Sequence, residues 1–360
     1  MHTGSVRSAL AWLRERRLAK NERLKMRLAI LDDYLGIGQT IVDWGVVPGL
    51  AVVSFRDHVH DQNELVDRLA EFDVVMRIRE RTEFPREVLA RLPKLKLLLA
   101  TGMRNARSID LRAADELGIV VSTTEAQHQT TVEVTWALIL GLFRSIPQES
   151  ASLRAGGWQV SLGRGLAGKT LGIVGLGNMG IPVAQIGQLF GMKVVAWSRN
   201  MTPERASVHQ VESVTKEALF RQADVITIHM PLSDATLGLV SAADLALMKQ
   251  DAFLINTSRP QIVAEGALLE ALEQRRIGGA GLDVFEVEPL PVDHPYRSLP
   301  NVLATPHIGF VTKENMEEFF HTSLKNILAF LAGSPINVIN AARPFLPDSQ
   351  VSKQMHAKGL

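Results

Sequence analysis

The chain has 360 residues, 46% hydrophobic and 21% charged, which leaves room for two domains with separate cores. A formal net charge of +1 gives no excess field for nucleic acid or an anionic membrane, so neither is expected as a partner. With no cysteine at all, disulfides, thiolate nucleophiles and cysteine-held zinc or iron–sulfur centres are excluded. The ten histidines form no i, i+4 pair with a nearby glutamate, so no metal site is expected either. No apolar run approaches the roughly 20 residues that span a bilayer, and a cytoplasmic location is expected.

Residues 1–25 form a basic extension carrying Arg7, Arg14, Arg16, Arg17, Lys20, Arg23 and Lys25. Glu15, Glu22 and the lack of Ser/Thr enrichment argue against a transit peptide. They leave a surface helix, an appended segment or a leader ahead of a start at Met26. From there short apolar strands alternate with amphipathic helices. Strands are expected at 27–31, 74–78, 97–100 and 119–121, with helices at 64–72, 85–92 and 111–117 between them. One long helix is expected over 131–154.

A second series follows, with strands at 170–174, 193–197, 225–229, 253–256, 281–284 and 302–304. Its helices are expected at 179–190, 216–222, 242–248 and 265–273, and a last long helix over 313–331 closes it. Gly333-Ser334-Pro335 stops that helix, and the tail, 346–360, is expected to be disordered. Alternation of this kind predicts an α/β fold of parallel strands joined by crossover helices.

Gly175-Leu176-Gly177-Asn178-Met179-Gly180 is a G-x-G-x-x-G directly after one apolar strand and directly before a helix, the context in which the string carries a mechanism. Gly175 allows the tight turn, Gly177 lets backbone approach a pyrophosphate, and Gly180 lets helix and strand pack closely. Dinucleotide sites that prefer NAD place an acid at the end of the next strand. Here that strand ends in Ser198-Arg199-Asn200, and the first acid is Glu204. Arg199 is suited to a 2′-phosphate, so NADP is favoured over NAD within a general NAD(P) reading.

Three later strand ends carry ionisable residues: Arg259 after 253–256, Glu286 and Glu288 after 281–284, and His307 after 302–304. Ligands of open α/β sheets bind at such ends. Hydride arriving at a 2-oxo carbon leaves charge on oxygen that must be protonated. His307 can give that proton, Glu288 can orient the imidazole, and Arg259 can hold carboxylate and carbonyl together. Arg77, Arg79, Arg81 and Arg104 are cations for an anionic substrate tail, although each also reads as a surface or paired residue.

From Met26 to Asn340 the chain resembles the D-isomer-specific 2-hydroxyacid dehydrogenases. The likeness is carried by Gly168-Lys169-Thr170-Leu171-Gly172-Ile173-Val174-Gly175-Leu176-Gly177, by Gly281 to Phe285 with Glu288 to Pro291, and by Thr305-Pro306-His307-Ile308-Gly309. The resemblance implies two doubly wound parallel-sheet domains with a cleft between: a Rossmann cofactor domain, 128–311, and a flavodoxin-like substrate domain, 26–127 with 312–345. It implies Arg259, Glu288 and His307 as catalytic residues, and cofactor contacts from Asn178, Met179, Ser198, Thr257 and Asp283, with His229 and Pro231 beside the adenosine. Gly102, Met103 and Arg104 would hold the substrate carboxylate. A homodimer built around 131–154 is also implied.

Two positions depart from the family pattern. Pro260 replaces the glycine that commonly follows the arginine, and proline fixes φ near −65°. Ser198 stands where NAD-specific members carry Asp. Glu288, where the formate dehydrogenase branch has Gln, points to hydroxy acids. The rival reading is a dinucleotide-sensing binding protein, corepressor-like, without turnover.

Overall fold

The computed structural model describes residues 25–102, 108–127 and 129–341, so most of the basic extension, Met103, Arg104 and the expected tail lie outside the described residues. The chain divides into two units, one formed by residues up to Ala126 and from Lys313 onward, the other by Gln127–Thr312.

The first unit holds β1 (Met26–Leu31), β2 (Leu50–Ser54), β3 (Val74–Arg77), β4 (Leu97–Ala100) and β5 (Val120–Thr123), with α1 (Gln62–Leu69), α2 (Arg86–Leu89) and α3 (Leu111–Glu116). The strands are all parallel in the order β2-β1-β3-β4-β5, the doubly wound flavodoxin-like order. β3 and β4 are buried along their whole length and read as apolar runs, broken only by Arg77 at the end of β3. The Asp61 carboxylate caps α1 by accepting from the N–H groups of Asn63 and Glu64, and Leu65, Val66 and Leu69 face the core. β2 was not expected. It is an edge strand paired only with β1 and is partly exposed along its length, so its pattern is neither alternating nor fully apolar.

The second unit begins with α4 (Gln129–Phe143) and α5 (Ile146–Arg154), where one helix over 131–154 was expected. The break has a local cause. Pro147 lies in the first turn of α5 and would clash inside a continuous helix. Ser145 turns left-handed at φ 49°, and the Phe143 carbonyl accepts instead from the Arg164 N–H at 2.7 Å.

The strands that follow are β6 (Thr170–Val174), β7 (Lys193–Trp197), β8 (Glu212–Ser213), β9 (Val225–Ile228), β10 (Phe253–Asn256), β11 (Gly279–Leu282) and β12 (Val302–Ala304). Helices α6 (Gly180–Leu189), α7 (Pro203–Ser207), α8 (Lys216–Gln222), α9 (Ala242–Leu247) and α10 (Ala267–Glu273) lie between them. The sheet is parallel throughout, in the order β12-β11-β10-β9-β6-β7-β8, a Rossmann sheet whose strand order reverses between β6 and β9. β11 starts and ends two residues earlier than expected, which leaves Asp283 just past the strand. β8 and α7 are too short to show a period and were not expected.

The last helix, α11 (Lys313–Leu331), does not close the second series. It packs on the first unit, with Asn326 donating to the Thr123 carbonyl at 3.0 Å and Phe320 edge-on to Trp44. Among the described residues no helix is long and apolar enough to cross a membrane.

Candidate active site

Of the three glycines of the turn after β6, two are explained by protein neighbours and one is not. Gly175 has φ 101°, and a Cβ there would lie 2.7 Å from the His229 carbonyl oxygen. A Cβ at Gly180 would lie 2.2 Å from the Gly175 carbonyl oxygen, so this glycine lets the turn close on α6. A Cβ at Gly177 meets no protein atom within 4 Å. The protein itself has room for a side chain there. A glycine is explained if something outside the chain approaches the backbone, as a pyrophosphate does.

Met179 precedes α6 without a side-chain cap, which keeps the first N–H groups of a ten-residue helix free of a capping side chain. Asn178 lies within this turn. The residues fit a dinucleotide: Gly175, Gly177, Asn178, Met179 and Gly180 at the phosphates, with Ser198 and Arg199 at the end of the adjacent strand. The Gly175 N–H donates to the Trp197 carbonyl at 2.9 Å, which holds that strand end beside the turn.

On the other side of the turn stands His229. Its N–H donates to the Val174 carbonyl at 2.8 Å, and Nε2 pairs with the Thr227 hydroxyl at 2.9 Å. The residue is half-buried, and burial pushes its pKa from 6.5 to about 4. The folded protein therefore favours the neutral ring. The stabilisation is complete above the unfolded value of 6.5 and is lost as pH falls from there through about 4. We expect His229→Gln to flatten the decline of urea-unfolding free energy over this interval by about 3 kcal/mol at most. Parallel wild-type and variant curves would remove the effect. Pro231 is exposed, and its carbonyl accepts from Thr236 Oγ1 at 2.7 Å.

Beyond β10 the Asn256 side chain organises a turn, with Nδ2 donating to the Arg259 carbonyl at 3.0 Å and Oδ1 accepting from the Ser258 N–H at 3.0 Å. The Ser258 hydroxyl donates to the Met230 carbonyl at 2.5 Å, so this turn is tied to the one after β9. Thr257 is buried and shares a 2.8 Å hydroxyl–hydroxyl bond with Thr135 of α4. The proline after the arginine needs no positive φ. Arg259 is extended at φ −143°, ψ 139°, the region a following proline imposes, and Pro260 opens a short 3-10 turn where its missing N–H is not needed.

Beyond β12, His307 sits at φ 52°, a left-handed conformation that costs a non-glycine residue about 1–2 kcal/mol. Its Nδ1 lies 2.6 Å from Glu288 Oε2, and Glu288 Oε1 accepts from the Phe285 N–H at 2.9 Å. Both side chains stay about a fifth to a quarter exposed, at 21% and 25%, so the pair is reachable from solvent.

Asp283 is 1% exposed. Oδ1 accepts from the Thr305 hydroxyl at 2.6 Å and the Ile308 N–H at 2.8 Å, while Oδ2 accepts from the Gly309 N–H at 2.8 Å. Burial raises its pKa, opposed by these donors and by the nearby His307. The Gly309 carbonyl in turn accepts from the hydroxyls of Thr130 and Thr131.

The structure therefore brings Glu288 and His307 into contact and places Arg259 at the same edge of the sheet, on the strand beyond the one that carries Asp283. Thr130, Thr131 and Thr135, which brace this edge from α4, were not singled out in the sequence, because hydroxyls on a helix carry no period of their own. In the first unit Gly102 is buried with φ 68°, and its N–H already donates to Thr124 Oγ1 at 2.8 Å. Its neighbours Met103 and Arg104 fall outside the described residues. Arg77 is buried at 0% exposure, donates to the Thr82 carbonyl and Ser108 hydroxyl, and is pushed down to about 10 by burial. It is a core brace. Arg79 donates to the Gly102 carbonyl, and Arg81 to the Asp32 carbonyl at 2.9 Å. Among the described residues no group of carboxylates and imidazoles is arranged to hold a metal ion.

Comparison with known proteins identifies the family. Residues 136–309 match the domain family described as D-isomer specific 2-hydroxyacid dehydrogenase, NAD binding domain. A glyoxylate reductase of Aeropyrum pernix is 38% identical over 267 residues, 71% of this chain and 79% of that protein. A hydroxypyruvate reductase of Blautia hydrogenotrophica is 31% identical over 330 residues, 88% of this chain and all of that protein. The crystal structure of a phosphoglycerate oxidoreductase from Vibrio cholerae O395 superposes with a TM-score of 0.81 at 37% identity, covering 86% of this chain and 100% of that one. All three carry the names of enzymes, which gives no support to a binding protein without turnover. With its two parallel sheets and its glycine turn at the point of strand reversal, the chain belongs to the D-isomer-specific 2-hydroxyacid dehydrogenases, oxidoreductases that move hydride between a nicotinamide cofactor and the 2-position of a small acid.

Proposed function

We propose that this chain reduces a small 2-oxo acid to the D-2-hydroxy acid with NAD(P)H, NADPH preferred, and that Arg259, Glu288 and His307 are its catalytic residues. The observation that carries this reading is the 2.6 Å pair between His307 and Glu288 at a strand end of the dinucleotide-binding sheet. When bound, the reduced nicotinamide supplies hydride. Glu288 fixes the ring through Nδ1, which leaves Nε2 of His307 to give the proton that the substrate oxygen needs. Arg259 binds carboxylate and carbonyl oxygen and offsets charge developing on the latter. Asp283 has one of about four carboxylate lone-pair positions left for a nicotinamide amide, and Thr257, His229 and Pro231 complete the nucleotide side. Met103 and Arg104, with Gly102, are assigned to the substrate carboxylate by family likeness alone.

The names of the relatives support a small substrate. The test is loss of reduced-nicotinamide absorbance with glyoxylate, hydroxypyruvate and phenylpyruvate, each with NADPH and NADH. Turnover with at least one pair is expected; nucleotide binding without turnover on any would overturn the reading. We also propose a cytoplasmic location, and cell fractionation placing the protein elsewhere would oppose it.

We further propose a homodimer seated on α5 and the segment after it. Leu153, Trp158, Val160 and Leu162 are 59%, 74%, 62% and 97% exposed, an apolar run that water does not favour. Light scattering is expected to give twice the mass of one chain, and Val160→Glu with Leu162→Glu to give single chains. A monomeric wild type would end this proposal.

A further inference from the structure

We propose that Arg205 is a cofactor-specificity residue, the second guanidinium of a clamp that reads a 2′-phosphate together with Arg199; the inference rests on the NADP reading above. The loop that follows β7 rises beside the glycine turn, because Trp197 pairs with Val174 across the sheet and its carbonyl accepts from the Gly175 N–H. The loop closes on itself through the Met201 N–H, which donates to the Ser198 carbonyl at 3.0 Å. Arg205, six residues beyond Arg199 and inside α7, is exposed but turns toward the loop before its helix. Its Nη1 donates to the Asn200 carbonyl at 2.8 Å, which brings its guanidinium back onto the loop that carries Arg199.

The charges around this loop decide what it can hold. Neither Arg199 nor Arg205 has an ion pair among the described residues, although exposed arginines elsewhere on the chain, such as Arg86, Arg112, Arg221 and Arg276, are paired with glutamates. Three acids of this unit are engaged elsewhere. Glu204, the acid of the loop itself, is turned toward its own N–H and the Thr202 hydroxyl, which lower its pKa. Glu212, on the neighbouring strand β8, pairs with Lys193. Asp244 is held by Lys216 and Ser241. Two guanidiniums without an ion pair among the described residues, with a serine hydroxyl, favour a dianionic group at the strand end where the adenosine ribose of a dinucleotide lies. A plain ribose, which prefers an acceptor there, gains nothing from a second cation.

The test is calorimetric binding of adenosine 2′,5′-bisphosphate and of adenosine 5′-monophosphate to wild type, Arg205→Gln and Arg199→Gln. Each variant is expected to weaken the bisphosphate by about 10- to 100-fold, as loss of one charge-assisted bond does. The monophosphate should stay within about twofold, and the difference between ligands should shrink as salt is raised. Equal weakening of both nucleotides by Arg205→Gln would make Arg205 a structural tie to Asn200 and overturn the proposal. A selective loss in Arg199→Gln alone would restrict the clamp to Arg199. Wild type that binds both nucleotides without preference would remove the NADP reading itself. Wild type that binds neither would count against the nucleotide site as a whole.

Discussion

Replacing His307 with Gln is expected to lower kcat for 2-oxo acid reduction by about 10²- to 10⁴-fold, the usual contribution of a positioned proton donor. The dissociation constant of NADPH should change by less than about twofold, because His307 lies past β12 while the nucleotide turn lies past β6, on strands separated by three others. Glutamine keeps a hydrogen-bond donor and much of the imidazole volume, so the loss reports proton transfer rather than a cavity. The effect of Glu288 separates the same roles. Glu288→Gln retains one oxygen, which can accept from Nδ1, while its amide nitrogen replaces the oxygen that accepts from the Phe285 N–H. It should cost about tenfold, whereas Glu288→Leu, which can orient nothing, should approach the loss seen for His307→Gln. Steady-state kinetics under saturating NADPH measure all three. A kcat for His307→Gln within a factor of a few of wild type would remove the imidazole from the reaction.

Much of the fold is legible in the sequence because buried parallel strands announce themselves. β4, β6, β7, β10 and β12 lie where their apolar runs place them, and the glycine turn is readable because a strand precedes it and a helix follows. What is not legible has identifiable causes. β2 is an edge strand with a half-exposed face, so no clear period marks it. The break at Ser145 depends on Pro147, a signal present in the sequence but outweighed by the apolar pattern on either side. At the site, Arg259, Glu288 and His307 are visible as polar residues at strand ends, but the contact between the last two, 19 residues apart, depends on two adjacent loops and is set by three-dimensional packing. The same holds for Asp283, whose sequence context suggests a cofactor contact and whose surroundings show the turn carrying His307 hung from its two oxygens.

That suspension predicts the second large effect. Asp283→Asn keeps shape but replaces one accepting oxygen with a donating NH₂, so at least one of three bonds, from Thr305, Ile308 or Gly309, is lost or opposed. In a site 1% exposed, an unmatched donor costs about 1–3 kcal/mol, enough to lower Tm by several degrees. The turn it holds keeps His307 left-handed, a conformation the chain does not favour unaided. Relaxation of that turn should lower kcat by about 10- to 100-fold, since misplacement by an ångström is that costly at a reacting centre. Calorimetric melting of the nucleotide-free protein discriminates between the two possible duties of Asp283. If the carboxylate served only a nicotinamide amide, the variant would lose affinity for NADPH while the free protein melted unchanged. If it supports the turn, the free protein melts lower and kcat falls more than NADPH affinity does. Thr305→Ser, which preserves the hydroxyl donor, should then remain near wild type, and Thr305→Val should follow Asp283→Asn in direction with a smaller loss, because two of the three bonds survive.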